Sequence, residues 1–218
     1  MDELNILQRL AIWILPVLFA ITVHEAAHGW VALRLGDRTA MMLGRVTLNP
    51  LKHIDPVGTL LVPGLMLMMG GMLFGWAKPV PVTWQNLRNR KRDMALVALA
   101  GPAANLLMAI FWAFLMRLSI MLDSVFPLIS KPLLYMGGAG ISINLILMVL
   151  NLLPIPPLDG SRIVSGLLPD KLAWRYNLLE KYGMVILLLL LVSGVLWGLI
   201  SGPVQLLRSL LLSFAGVQ

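Results

Sequence analysis

The chain has 218 residues, of which 59% are hydrophobic and only 12% are charged. A soluble domain usually carries about 25% charged residues, so the composition predicts a polytopic membrane protein. The absence of cysteine excludes disulfides and thiolate metal ligands. The net charge of +7 does not indicate nucleic-acid binding, because lysine and arginine fall in short connections between apolar runs.

Five apolar runs follow one another along the chain, and a span needs about 20 mostly apolar residues. The runs cover roughly residues 5–34, 57–75, 94–120, 134–153 and 183–201. Gly202 and Pro203 are expected to stop the last run, and the apolar tail after them is expected to form a short helix at the membrane interface. The N-terminus lacks the basic region of a cleaved signal peptide, so the first helix is expected to be retained.

The run 57–75 is predicted to re-enter the membrane rather than to cross it. The connections 34–56, 77–93 and 154–181 are basic, whereas 121–133 contains a single lysine. If the basic connections are all cytoplasmic, the run 57–75 starts and ends on one side, and the first helix ends in the cytoplasm. Glycines and Pro63 within the run suit irregular backbone that is covered by protein. An ordinary span with one exceptional loop is the alternative.

Residues 78–82, with the sequence KPVPV, predict a short β-like loop. Pro79 and Pro81 lack a backbone N–H group, which disfavours pairing along their edge. The residues that keep the N–H group are Lys78, Val80 and Val82. Their edge could pair with an added substrate strand, and a polyproline-type linker is the alternative.

The first run carries the motif HEAAH, residues 24–28. Ionisable groups inside a span are expensive and usually functional. His24 and His28 share a helix face, where both imidazoles can ligate one metal ion. Glu25 is rotated by about 100° and is better placed to hold a metal-bound water than to ligate. The motif predicts two zinc ligands and a general base, rather than histidines bonded to neighbouring carbonyl groups.

A catalytic zinc site needs a third protein ligand and an open position for water. Asp159 stands out in NLLPIPPLDG, residues 151–160, because prolines end the fourth run there and Gly160 permits a tight turn. A carboxylate at this cytoplasmic end of a span is expected near the depth of HEAAH. An Asx turn or a helix cap is the alternative for Asp159, and His53 and Glu180 are the other candidate ligands.

Three motifs, in order, resemble those of the site-2 proteases, which are intramembrane zinc metalloproteases. They are HEAAH in the first run, GPAAN at residues 101–105, and NLLPIPPLDG at the end of the next run. The stretches NPLKHIDPVGT and FGWAKPVPV look like the compact prokaryotic branch of that family, without a PDZ insertion or a CBS domain. The resemblance covers most of the chain.

The resemblance implies a role for each motif residue. The implied zinc ligands are His24, His28 and Asp159. Glu25 would be the general base. Asn151 matches a family asparagine near the scissile carbonyl, where its amide could steady the oxyanion. Asn105 ends a motif that lies by the active site in the family, and helix packing is the alternative for it.

The sequence therefore predicts one intramembrane metalloprotease domain over residues 1–218. Its fold would be all-α and polytopic, with about four to five transmembrane helices, a re-entrant segment and a β-like loop near the active site. It would be a zinc-dependent endopeptidase of the cell membrane that cleaves membrane-protein substrates from the cytoplasmic side. Its partners would be those substrates and the lipid bilayer, not nucleic acid. The alternatives are a metal transporter or sensor, and a prenyl-protein-type protease that uses Glu180 as a ligand.

Overall fold

Helices dominate the computed structural model, which describes residues 5–61 and 77–217. The helices in these ranges are α1 (Ile6–Arg34), α2 (Thr39–Met42), α3 (Arg90–Leu122), α4 (Pro127–Leu152), α5 (Asp159–Leu167), α6 (Asp170–Asn177), α7 (Glu180–Val192) and α8 (Val195–Ala215). Shorter helical turns cover Pro50–Lys52, Pro56–Leu61 and Trp84–Asn86. These ranges contain no β-strand, and the predicted all-α class is confirmed.

Four of these helices, α1, α3, α4 and α8, are long and apolar enough to cross a membrane. This number confirms the polytopic prediction at the lower end of its range. Side-chain caps fix where two of them begin. Asn5 accepts a hydrogen bond from the N–H of Gln8 at the start of α1, and Asn89 accepts one from the N–H of Arg92 in α3.

The predicted position of the last span is wrong. α7 has 13 residues, too few to span, and it ends just before Gly194, whose φ of 77° lies in the left-handed region. α8 then continues through Gly202 and Pro203 to its end, so the predicted interfacial tail belongs to the last candidate span. Proline removes one helical hydrogen bond, but Ile200 and Val204 are buried against α3 and α4, and this packing favours an unbroken helix.

The core of the bundle lies where α3, α4 and α8 meet. Glycines on α4 bring it close to α3: a Cβ atom on Gly140 would lie 2.2 Å from Cγ of Trp112, and one on Gly137 would lie 2.7 Å from Cβ of Met116. Without a hydrophobic driving force between helices in lipid, close approach at small residues supplies the van der Waals contact. This packing holds α3 and α4 close together, and both helices also pack against α1.

The two ends of the connection between α1 and α3 lie next to each other. Leu35, just after α1, accepts a hydrogen bond at 3.2 Å from the backbone N–H of Arg88, just before α3. His53 likewise accepts one at 3.0 Å from the N–H of Lys78. These contacts place the two ends of the connection side by side. The predicted re-entrant run 57–75 falls mostly outside the described residues and stays a prediction.

Cysteine substitutions at Met42, Arg90 and Leu128 test this topology. The three side chains are exposed, and the chain contains no cysteine of its own. Because the connection returns to the side it leaves, a membrane-impermeant maleimide is expected to label positions 42 and 90 from one face and position 128 from the other. Labelling of positions 42 and 90 from opposite faces would contradict this topology.

Candidate metal centre

Two histidines on one face of α1 bring their ring nitrogens together. His24 and His28 are 8% and 9% exposed, and their Nε2 atoms lie 3.0 Å apart. The rings meet edge to face, with an interplanar angle of 87°. The spacing of four residues places both side chains over the same helical turn, as the sequence predicts.

Asp159, the first residue of α5, completes the cluster. Its Oδ2 atom lies 3.2 Å from Nε2 of His24 and 3.3 Å from Nε2 of His28. In the described part of the chain, these three residues form the one group of histidine and carboxylate side chains that converge closely enough to hold a metal ion. The structure thus brings together the three predicted ligands.

The turn between α4 and α5 delivers Asp159 to the histidines. Gly160 presses against the end of α4, where a Cβ atom would lie 2.3 Å from the carbonyl oxygen of Leu152 and 2.4 Å from that of Leu153. Only a residue without a side chain allows this approach. The aspartate that precedes it consequently faces α1 instead of the end of its own helix.

Hydrogen bonds at Nδ1 determine which nitrogen of each histidine carries the proton. Nδ1 of His28 lies 2.7 Å from the carbonyl oxygen of Val97 and must therefore donate to it. Nδ1 of His24 lies 2.6 Å from Oδ1 of Asn105. The amide nitrogen of Asn105 faces two acceptors, the carbonyl oxygen of Ala20 and Oδ1 of Asn144, so its oxygen must face the histidine. In a neutral imidazole, a proton on Nδ1 leaves the lone pair on Nε2, so this arrangement directs the ligating nitrogen of each histidine toward the other.

This geometry fits a zinc ion. Two unprotonated Nε2 atoms and a carboxylate oxygen at 3.0–3.3 Å repel one another unless a cation lies between them. Ligands of a tetrahedral zinc at about 2.0–2.1 Å stand roughly 3.3 Å apart. Oδ2 of Asp159 is buried and receives no hydrogen bond from any described residue.

Gly101 forms the wall of the site opposite α1. A Cβ atom on Gly101 would lie 2.5 Å from both Cε1 of His24 and Nε2 of His28. The glycine of GPAAN therefore keeps α3 close to the ligands without blocking them. The role of Asn105 is equally specific, since it is fully buried and contacts His24. The sequence predicts that this motif lies near the site, but nothing in it indicates either contact.

Glu25 is bonded to residues 78–82, the segment that the sequence predicts could pair with a substrate strand. The backbone N–H of Val80 donates a 2.8 Å hydrogen bond to Oε2 of Glu25. The N–H of Lys78 is bonded to the carbonyl oxygen of His53. The prediction that these N–H groups could pair with a substrate strand is therefore wrong for Lys78 and Val80, two of the three. The proline pattern of residues 78–82 does not reveal bonding partners elsewhere in the chain.

The remaining candidates make hydrogen bonds or ion pairs of their own in this structure. The amide of Asn151 donates a 3.0 Å hydrogen bond to the carbonyl oxygen of Leu147 on its own helix. His53 is buried, with Nε2 3.0 Å from the carbonyl oxygen of Thr47. Glu180 pairs with Arg162. Neither His53 nor Glu180 belongs to the metal-binding group of the described residues. Asn144, which orients Asn105, carried no signal in the sequence.

Comparison with known proteins defines the family. A model described as "Peptidase family M50" matches residues 123–193. "Putative zinc metalloprotease YwhC" of Bacillus subtilis is 38% identical over 193 residues, which is 86% of this chain and 85% of the relative. "Putative zinc metalloprotease Rip2" of Mycolicibacterium smegmatis is 31% identical over 89% of this chain and 73% of the relative. The chain belongs to peptidase family M50, the site-2 proteases.

A longer relative extends the comparison. "Regulator of sigma-E protease RseP" of Salmonella typhimurium is 35% identical over 137 residues, or 59% of this chain and 29% of the relative. No solved structure matches the chain. With the four apolar helices, the family defines a multi-pass membrane metalloprotease that uses zinc and acts on proteins. The alternative of a metal transporter or sensor is not favoured.

Substitution of Gly101 by alanine tests the wall of the site. The added Cβ atom would overlap the two imidazoles, so Gly101→Ala is expected to lose most of its bound zinc. The measurement is zinc per chain by mass spectrometry of the purified protein. Gly138→Ala is the matched control, because a Cβ atom there meets nothing within 4 Å, and it should retain its zinc. Full zinc in Gly101→Ala would contradict the geometry.

Removal of the amide behind His24 tests how the ligand is oriented. Asn105→Ala is expected to weaken zinc binding by about 10- to 100-fold, because the imidazole loses the acceptor that fixes its tautomer. Competition with a calibrated chelator measures the affinity. Ser142→Ala serves as control, since the Ser142 hydroxyl donates a hydrogen bond to the carbonyl oxygen of Gly138 on its own helix, and the affinity of this variant should match that of the native protein. Equal affinities for Asn105→Ala and the native chain would overturn this role.

Proposed function

We propose that this metalloprotease hydrolyses peptide bonds of transmembrane or membrane-associated proteins within the membrane. The observation that carries the proposal is the position of the metal-binding cluster, in which two of the three ligand atoms come from α1, a candidate membrane span. Residues 1–218 would act as one catalytic domain. A cluster built into a spanning helix suits substrates that lie in the same bilayer.

His24, His28 and Asp159 would hold the zinc. Bound zinc lowers the pKa of a ligated water and polarises the substrate carbonyl. The chain would supply two imidazoles and one carboxylate, and three protein ligands leave a fourth position open for water or substrate. Asn105 and the carbonyl of Val97 keep both imidazoles in the tautomer that a metal requires.

Glu25 would accept a proton from the attacking water and pass it to the leaving amine. It follows His24 directly on α1, and one of its oxygens is already bonded to the N–H of Val80. Asn151 would donate its amide to the developing oxyanion. To do so it must give up the bond to Leu147 that it makes in this structure.

The basic connections support a cytoplasmic position for the cluster. Asp159 lies just after α4, at the start of the basic connection 154–181, and the basic connection 34–56 follows α1. By the positive-inside rule both connections face the cytoplasm, and the cluster lies at the same end of the bundle. We therefore place the site toward the cytoplasmic side of the cell membrane, where water can reach it.

Two carboxylate variants separate ligand from base. Asp159→Ala is expected to lose zinc and cleavage together, because it removes a ligand. Glu25→Gln is expected to keep zinc but to cleave about a hundred- to ten-thousandfold more slowly, because an amide cannot accept the proton. Zinc content and cleavage of a model transmembrane peptide are measured on each purified variant.

Asp170→Ala is the matched control for the carboxylate variants. Asp170 also begins a helix, but its side chain is exposed and pairs with Lys91. This variant should keep both zinc and activity. If Asp159→Ala keeps both, the third ligand lies elsewhere. If Glu25→Gln cleaves as fast as the native chain, another group activates the water.

A further inference from the structure

Arg45 is a buried cation that lies outside the motifs. It is 8% exposed, and its guanidinium donates hydrogen bonds to the carbonyl oxygens of Lys52, Lys78 and Pro79, the last two at 2.8 and 3.3 Å. Burying a charge is costly unless it is well hydrogen bonded. A guanidinium directed at backbone carbonyls fixes where that backbone lies, because its donors have a rigid planar arrangement.

The residue after this anchored pair contacts the predicted base. The N–H of Val80 bonds to Oε2 of Glu25 at 2.8 Å, and the Val80 side chain is buried. Gly29, one turn beyond Glu25 on α1, makes room for it, since a Cβ atom there would lie 3.1 Å from Cγ1 of Val80. The segment therefore lies directly against the face of α1 that carries the carboxylate.

Asp37 holds the other end of the segment. Its carboxylate accepts hydrogen bonds from the N–H of Thr83, the amide of Asn86, and both the N–H and the hydroxyl of Thr39. Burial would raise the pKa of Asp37, but these hydrogen bonds outweigh it and lower the pKa below its ordinary value. The carboxylate thus stays charged and keeps its four donors near neutral pH.

Resting on the role of Glu25 as base, we propose that Arg45 is a positioning residue for catalysis: it holds Lys78 and Pro79 so that the N–H of Val80 fixes one carboxylate oxygen of Glu25. A carboxylate bonded through one oxygen has lost most of its rotational freedom, while its second oxygen stays available to accept a proton. Misplacing a catalytic group by about 1 Å can cost on the order of a hundredfold in rate. The prolines on either side of Val80 leave it as the one N–H donor between Lys78 and Val82.

The experiment measures kcat, KM and zinc content for the purified native chain and for each variant. The substrate is a fluorescent transmembrane peptide that the native chain cleaves. Arg45→Met removes the donors but keeps the length of the side chain. It is expected to lower kcat about ten- to a hundredfold, with KM changed less than about threefold and zinc retained. Arg45→Lys should recover part of kcat. Arg38→Met is the matched control, because it removes an exposed arginine of the same connection. It should leave kcat unchanged.

A second pair of variants removes the proposed hydrogen bond directly. Val80→Pro deletes the N–H donor, whereas Val80→Ala keeps it. The kcat of Val80→Pro is therefore expected to be at least about tenfold lower than that of Val80→Ala. The double variant Arg45→Met/Val80→Pro should be little slower than either single variant, because both act through one bond. Fully additive losses would show two independent structural effects and overturn the proposal. A higher kcat in Val80→Pro would show that the bond restrains the base and would overturn it as well.

The same series distinguishes this inference from the proposed function. In a Glu25→Gln background, Arg45→Met should cause no further loss of kcat, since the group being positioned no longer accepts a proton. If Glu25→Gln by itself retains native kcat, the assignment of the base fails. If Glu25→Gln loses activity but Arg45→Met and Val80→Pro both retain native kcat, the base stands and the positioning role of Arg45 is wrong.

Discussion

The Nε2 atoms of His24 and His28 lie 3.0 Å apart on one face of a candidate membrane span, and the surrounding structure is organised around that pair. Without a cation, their lone pairs and the carboxylate of Asp159 would repel one another in a medium of low dielectric. Each imidazole is fixed by an acceptor on α3, either the carbonyl of Val97 or the amide of Asn105. Burying two imidazoles in the bilayer costs free energy, and the hydrogen bonds at both Nδ1 atoms offset that cost.

Three helices converge on this pair because glycines permit it. Gly101 brings α3 against the imidazoles, and Gly160 folds the start of α5 onto the end of α4 so that Asp159 faces α1. Gly140 and Gly137 hold α4 close to α3, which keeps Asn144 within reach of Asn105. Close approach at small residues thus stabilises helix packing in lipid, as apolar burial does in a soluble protein.

Glu25, the predicted base, is held differently from the three candidate metal ligands. Its partner is a backbone N–H in a segment with neither helix nor ladder, anchored by the buried Arg45 at one end and the buried Asp37 at the other. Charged side chains bonded to backbone hold this segment without a sheet, where prolines prevent regular pairing. The helices thus position the three candidate metal ligands, whereas the connection between α1 and α3 positions Glu25, the predicted base.

Apolar length and helical spacing are local properties, and they sufficed to predict the membrane class, three of the four candidate spans, and the two histidines and one aspartate of the candidate metal centre. The last candidate span begins at Val195 and passes through Pro203 because packing against α3 and α4 outweighs the local tendency of proline to end a helix, and that packing is not visible in the sequence. The tertiary structure also decided which groups orient the site. Asn144, Val80 and Arg45 act across gaps of 39, 55 and 33 residues, and no sequence period records contacts between separate elements.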